Sequence, residues 1–175
     1  ELVTGARLTT SYTRIGGLGW DVPENFREAV VDFTIQCPEA IREIEGLLTR
    51  NRIWIDRTKG IGVISADDAI AWNLTGPMLR GSGVEYDLRK TEPFLCYEEF
   101  DFDIPVGENG DTYDRYLVRV EELHQSLRII DQAVNKLPGG PVKVDDAKVS
   151  LPEKGSVDFG MESLIHHFKV IMDGH

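Results

Sequence analysis

The sequence contains few cysteines, only two among its 175 residues. Cys37 and Cys96 cannot supply the four ligands of an iron–sulfur cluster or of a zinc site built from four cysteines. The two could pair, but two buried, reduced thiols in a cytoplasmic protein are the more common arrangement. Any redox metal that works beside this chain therefore belongs to another protein.

Basic residues are also scarce, since 19 Lys and Arg face 30 Asp and Glu and the net charge is −11. This balance argues against a nucleic-acid partner, which requires a dense basic face. Residues 1–60 hold 9 acidic and 8 basic residues, whereas residues 61–175 hold 21 and 11. The acidic part fits a solvated surface, and the nearly neutral first third could instead meet another protein.

Long apolar runs are absent, so no stretch of about 18 residues predicts a membrane span. No signal peptide is recognisable either. The chain begins at Glu1 rather than Met and closes on the helix-stop signal Asp173-Gly174-His175. We therefore interpret it as one fragment of a larger domain, truncated at both ends.

The apolar periodicity predicts a mainly α fold with short β elements, an α+β class. After a turn-rich segment at 1–22, Pro23 and Pro38 mark two helix starts within residues 23–50. Residues 51–105 combine a glycine- and arginine-rich stretch with short β-branched or alternating runs, which predict strands at 53–55, 61–64 and 100–105. Ser65 is expected to cap a brief helix that ends near Trp72.

The longest predicted helix covers residues 111–137, with Asp111 as its N-cap. Apolar residues recur every seven positions in two registers and define a heptad seam of Tyr113, Tyr116, Val120, Leu123, Leu127, Ile130, Val134 and Leu137. Residues 138–157 form an extended connector, because they are rich in Pro, Gly, Lys and Asp. A last helix at 158–173 carries an apolar face of Met161, Ile165, Phe168 and Met172.

Most candidate sites are weak. The glycines from Gly76 to Gly83 lack the lysine and the Ser/Thr of a nucleotide-binding P-loop. The adjacent His166 and His167 point about 100° apart on a helix and do not chelate one metal easily. The acids around residues 98–103 could form a glycosidase-type pair, but such residues are more often solvent-facing.

Arginines beside glycines give a better signal, and four of them stand out: Arg7, Arg14, Arg80 and Arg89. Such a guanidinium is often held by backbone carbonyls or by a buried carboxylate. It could also tune a neighbouring cofactor electrostatically, or it could simply be exposed. The residues alone leave these alternatives open.

Five stretches in order carry a resemblance to a known family. They are TGARLTTSYTRIGG (4–17), NRIWIDRTKGIGVISADDA (51–69), GPMLRGSGVEYDLRK (76–90), FDFDIPVGENGDTYDRYLVRVEELHQSLRII (100–130) and MESLIHHFK (161–169). Together they resemble the middle of the D subunit of proton-pumping NADH:quinone oxidoreductase, respiratory complex I. The resemblance spans essentially the whole chain.

This resemblance implies a helical-bundle core related to the large subunit of nickel–iron hydrogenases. It also implies that quinone is reduced in a cavity between this protein and a neighbour that holds an iron–sulfur cluster. The chain itself would bind no cofactor and no metal, since it lacks the two C-x-x-C pairs of those hydrogenases. Its partners would be the other peripheral-arm subunits, on the cytoplasmic face of the bacterial inner membrane.

By the resemblance, Leu8 is an apolar wall residue of the cavity and Arg14 a charge close to the cluster. At Thr9 or Thr10 many members carry a histidine thought to take up a proton when the cluster is reduced. Arg80, Asp87 and Arg89 are expected to form an ion-paired group, hereafter the arginine latch. The isolated segment is expected to be inactive and free of iron.

Two rival hypotheses remain at this point. One is a subunit of a hydrogenase-related membrane complex with another electron acceptor. The other is a non-enzymatic acidic helical adaptor that dimerises through the heptad seam.

Overall fold

The computed structural model describes the backbone of residues 1–173 and the side chains of 1–153 and 155–172. The described chain forms two compact units. We call residues 27–137 the helical unit, and residues 1–26 with those from 138 onward the hairpin unit. No helix of the described part is long and apolar enough to cross a bilayer.

Helices dominate the structure, which confirms the mainly α class with short β elements. The helices are α1 Phe26–Leu48, α2 Arg52–Thr58, α3 Ala66–Ala71, α4 Pro77–Gly81, α5 Leu88–Thr91, α6 Thr112–Lys136, α7 Lys154–Val157 and α8 Met161–Asp173, with a 3₁₀ turn at Tyr97–Glu99. The strands β1 Thr13–Arg14 and β2 Gly17–Leu18 pair antiparallel. This hairpin lies in the segment at 1–22, for which the turn-rich sequence predicts a loop.

The long helix α6 is confirmed, and Asp111 caps it by accepting a hydrogen bond from Asp114 N at 2.8 Å. Its burial is broader than the heptad seam, because Asp114, Val118 and Gln125 are also buried. Those three residues lie on a different face from the seam residues Val120 and Val134. The helix therefore packs on two sides, and most strongly against α4.

The strands predicted at 53–55 and 61–64 are wrong. Residues 52–58 form α2, because the Asn51 side chain caps the amide of Ile53 at 2.9 Å. Residues 61–64 lie in a loop whose backbone bonds the approach to α6, with Ile64 N donating to Gly110 O at 3.0 Å. A short β-branched run needs a partner strand, and the described fold offers none here. The cap at Ser65 and the helix after it are confirmed.

The strand predicted at 100–105 is also wrong. This segment runs beside helix α6 and forms hydrogen bonds with its side chains rather than with another strand. Gln125 and Gln132 of α6 accept hydrogen bonds from Asp103 N and Asp101 N at 3.0 and 2.9 Å. Side chains of a helix thus replace a neighbouring strand as hydrogen-bond partners. The alternation of the segment still buries Phe102 completely.

Three further expectations need correction. Pro38 does not start a second helix, because α1 continues through it; a proline removes only one hydrogen bond of the helix, the one to residue 34. Cys96 is exposed rather than buried, and Cys37 is only partly covered. The predicted apolar face of α8 stays exposed in the hairpin unit, where Val170 is the buried side chain of this helix within the described residues.

Candidate functional site

The arginine latch lies in the helical unit, where Asp87 is the N-cap of α5. Its Oδ1 accepts hydrogen bonds from the backbone N and the Nε of Arg89, both at 3.0 Å. Its Oδ2 accepts from Arg89 Nη2 at 2.7 Å. Asp87 is only 5% exposed, so this carboxylate depends on the fork of donors that Arg89 presents.

Arg80 approaches the same carboxylate from α4, and it too is buried. Its Nη1 donates to the carbonyl of Tyr86 at 3.0 Å and lies 3.8 Å from Asp87 Oδ2. Its Nη2 forms an ion pair with Glu122 of α6. The structure thus brings together the three predicted latch residues and adds Glu122, which the sequence did not single out.

The latch combines two cations with two anions, and hydrogen bonds stabilise the ionised forms. The hydrogen bond from Arg89 lowers the pKa of Asp87 below its ordinary value and outweighs the opposing effect of burial. The same bond raises the pKa of Arg89. A cleft of about 510 Å³ adjoins this group. Because all four charges are paired, the latch suits a structural role rather than acid–base catalysis.

Of the three glycines in the stretch 76–90, Gly81 serves close approach, whereas Gly76 and Gly83 adopt positive φ values of 62° and 90°. A Cβ on Gly81 would lie 2.8 Å from Cγ of Arg115, a residue of α6. The backbone nearby is joined to the loop before α6, where Gly107 N donates to Arg80 O at 2.9 Å. The stretch therefore passes so near to α6 that a side chain at Gly81 would displace its neighbour.

Arg14 lies at the end of β1, in the hairpin unit. Its Nε donates to the carbonyl of Ser11 at 3.1 Å, and its guanidinium carbon lies 6.0 Å from the ring centre of Trp20. The ring centres of Tyr12 and Trp20 lie 5.5 Å apart, with the ring planes at 71° to each other. The residue is exposed, and no carboxylate in the described residues forms a salt bridge with it.

A cleft of about 820 Å³ opens beside the hairpin. Its walls carry two cations, Arg14 and Lys143, and one acidic residue, Glu153, together with apolar groups that include Leu18 and Trp20. Of the four residues predicted for the cavity, all of which the structure describes, Arg14 alone lines this cleft.

The other three residues, Leu8, Thr9 and Thr10, are exposed. Leu8 leaves 81% of its surface uncovered. Thr9 has a φ of 42°, in the left-handed region that a β-branched residue seldom adopts. An apolar side chain this exposed is a natural contact for another molecule, since its burial would be favourable.

The described residues show no group of three or more His, Cys, Asp or Glu side chains that could hold a metal ion. His166 instead forms a hydrogen bond with the carbonyl of Ala147. The absence of iron from this chain stays a prediction.

Comparison with known proteins confirms the resemblance. The sequence matches the family model described as "Respiratory-chain NADH dehydrogenase, 49 Kd subunit" over residues 1–175. The D subunit of the NADH-quinone oxidoreductase of Methylacidiphilum infernorum is 55% identical over 174 residues, which are 99% of this chain and 42% of that protein. The D subunit of the Myxococcus xanthus enzyme is 55% identical over 172 residues, which are 98% of this chain and 41% of that protein.

A mitochondrial relative is similar as well. The NADH-ubiquinone oxidoreductase 49 kDa subunit of Neurospora crassa is 51% identical over 175 residues, which are 100% of this chain and 37% of that protein. The chain thus spans less than half the length of these relatives. Since the family model covers every residue, this chain belongs to the family of the 49 kDa subunit of respiratory-chain NADH dehydrogenase.

Proposed function

We propose that this chain is part of the quinone-reducing module of a proton-translocating NADH:quinone oxidoreductase, where it lines the quinone cavity beside an iron–sulfur cluster held by a neighbouring subunit. The observation that carries the proposal is the match of the whole chain to relatives named as NADH-quinone oxidoreductase subunits. The fold proposed for the whole subunit is the helical bundle related to hydrogenase large subunits.

In this proposal electrons pass from the partner's cluster to quinone, and this chain supplies surface and charge. Leu8 offers an apolar wall, which its high exposure supports. Arg14 offers a positive charge that no carboxylate of the described residues neutralises by a salt bridge. Reduction adds negative charge to the cluster, so a nearby cation favours the reduced form, by about 2 kcal/mol at about 8 Å and an effective dielectric of about 20.

The resemblance implies that many members carry a histidine thought to take up a proton at the position of Thr9 or Thr10. A hydroxyl group does not titrate near neutral pH, whereas a histidine does. We therefore propose that reduction of the cluster is not coupled to protonation at this point of the chain.

The partners proposed are the other peripheral-arm subunits, above all the one that holds the cluster. The complex would stand on the cytoplasmic face of a bacterial inner membrane, and this chain would meet the membrane only through it. The proposed cofactors are quinone and the neighbour's cluster. The fragment alone would neither reduce quinone nor bind iron.

The test places a bulky side chain at the proposed cavity wall of the full-length subunit in its assembled complex. Leu8→Trp should raise the KM for quinone because it narrows the cavity. Leu95→Trp is the matched control, since Leu95 is 88% exposed and lies in the helical unit. An unchanged KM in Leu8→Trp, with the complex fully assembled, contradicts the proposal.

The adaptor hypothesis loses support from the helical unit itself. Tyr113 and Tyr116 of the heptad seam both hydrogen-bond Thr49, at 2.8 Å, and Val120 and Val134 are buried within one copy. These four seam residues are therefore occupied within one copy, and only Leu123 and Leu137 of the seam are exposed.

A further inference from the structure

The Arg14 guanidinium is fixed by its surroundings in the hairpin unit. A side chain as long as arginine is normally free to sample many rotamers, and holding it costs conformational entropy. Here one hydrogen bond, from Nε to Ser11 O, is joined by a cation–π contact with Trp20.

Trp20 is itself held from two sides. Its Nε1 donates to the carbonyl of Val3 at 3.2 Å, and its ring contacts the ring of Tyr12 at an interplanar angle of 71°. The ring is 45% exposed, so its burial alone does not explain its orientation. These contacts fix the ring face that the guanidinium of Arg14 approaches.

Gly19 leaves room for that guanidinium. A Cβ at this position would lie 3.2 Å from Nε and 3.3 Å from Cζ of Arg14. These distances are shorter than most Cβ contacts, so alanine would displace the guanidinium by a few tenths of an ångström. The φ of Gly19 is not in the left-handed region, and alanine therefore probes this space rather than backbone strain.

From these contacts we infer that Gly19 and Trp20 form a seat that positions the Arg14 guanidinium toward the redox centre of the neighbouring subunit. Both are positioning residues, because they act through Arg14. The inference rests on the proposed function and identifies the residues that orient the Arg14 guanidinium. A mobile guanidinium would spend time farther from the cluster, and its Coulomb attraction would fall with distance.

The experiment uses the assembled complex that contains the full-length protein, and it measures the reduction midpoint potential of the neighbour's cluster by EPR-monitored titration. Arg14→Met should lower the potential because it removes the charge. Trp20→Leu, which keeps the charge, should lower it by part of the Arg14→Met shift, and Gly19→Ala by a smaller part. Trp20→Phe should restore much of the wild-type value, since it keeps an aromatic face.

Two controls match these changes. Trp72→Leu removes a tryptophan that is 78% exposed in the helical unit, and Gly46→Ala adds a methyl group that would meet no atom within 4 Å. Both should leave the potential at the wild-type value. If Arg14→Met lowers the potential while Trp20→Leu and Gly19→Ala do not, the seat is refuted.

A second measurement tests the seat without the cluster. The rate at which phenylglyoxal modifies Arg14 in the complex, followed by peptide mass spectrometry, should rise severalfold in Trp20→Leu and in Gly19→Ala. Unchanged rates overturn the seat, whatever the potential does. If the rates rise but Arg14→Met leaves the potential unchanged, the seat holds its arginine and the claim that it serves the cluster fails together with the proposed place of Arg14.

Discussion

Arg80 and Arg14 both lie near glycines in the sequence, yet their environments in the two units are opposite. Arg80 is 6% exposed in the helical unit and meets Asp87 and Glu122. Arg14 is exposed in the hairpin unit and is held by a carbonyl and a ring. A buried charge requires countercharges, which cancel its field at a distance. An exposed charge held by neutral groups has no countercharge and is screened only by water and salt, so it can act on a neighbour that covers it. The first arrangement suits structure, and the second suits action on a neighbour.

The largest expected effect comes from breaking the arginine latch. Asp87→Ala should lower the free energy of unfolding by about 3–5 kcal/mol, since it leaves buried guanidinium groups without their shared carboxylate. Urea unfolding of this chain measures the loss. Asp101→Ala is the control, because its pair with Arg128 is largely exposed and should cost clearly less. Equal losses in the two variants would mean that burial does not increase the contribution of the latch to the free energy of unfolding.

A smaller loss of stability should follow from adding a side chain where residues 76–90 pass close to α6. Gly81→Ala should destabilise by about 1–3 kcal/mol, because its Cβ would meet Arg115 at 2.8 Å. Gly46→Ala should raise the free energy of unfolding by about 0.5–1 kcal/mol, since this glycine lies inside helix α1 with open space around it. The same urea experiment decides, and a stabilising Gly81→Ala would refute the packing described for this stretch.

The helical unit should also lose stability at acidic pH through two carboxylates of lowered pKa. For Asp87 the hydrogen bond from Arg89 is the main cause. For Asp114, burial acts most strongly and would raise the pKa, but hydrogen bonds from Asn109 and Glu108 together outweigh it.

The sign follows from linkage. Because the folded-state pKa lies below the unfolded value of about 3.9, the stabilisation is fully present above that value and is lost as the pH falls through the folded-state pKa. The urea midpoint should therefore drop between about pH 5 and pH 2. Asp87→Asn should flatten this slope, and Gly46→Ala, which changes no charge, should keep it. If the urea midpoint of Asp87→Asn depends on pH as steeply as that of the wild type, the pKa of Asp87 does not contribute to the acid loss of stability.

Local signals in the sequence predicted some elements well. Asp111 and Ser65 cap the helices that follow them because an N-cap acts within a few residues. The strand predicted at 53–55 failed because a local cap was overlooked, whereas the strand predicted at 100–105 failed for a tertiary reason. Asn51 caps a helix over the first run, and the glutamines of α6 supply the hydrogen bonds of the second.

The candidate sites show the same difference between local sequence signals and contacts of residues far apart in the sequence. The glycine–arginine spacing pointed to Arg80, Asp87 and Arg89, which the fold brings together. Glu122 was missed because its contact with Arg80 spans 42 residues and leaves no local pattern. Trp20 was missed as well, although it stands only six positions after Arg14, because an aromatic residue after a turn is most often ordinary packing.

The smallest expected effect on folding is also the one that separates the two units most clearly. Arg14→Met should change the free energy of unfolding by less than about 0.5 kcal/mol, because an exposed guanidinium with neutral partners contributes little to stability. Arg80→Met should cost several kcal/mol, since it leaves the partly buried Glu122 without its partner and removes one of the two cations beside the buried Asp87. In the assembled complex, Arg14→Met should still lower the potential of the neighbour's cluster. If Arg14→Met instead destabilises the chain as much as Arg80→Met, its guanidinium serves folding, and its charge is no more available to a neighbour than that of the latch.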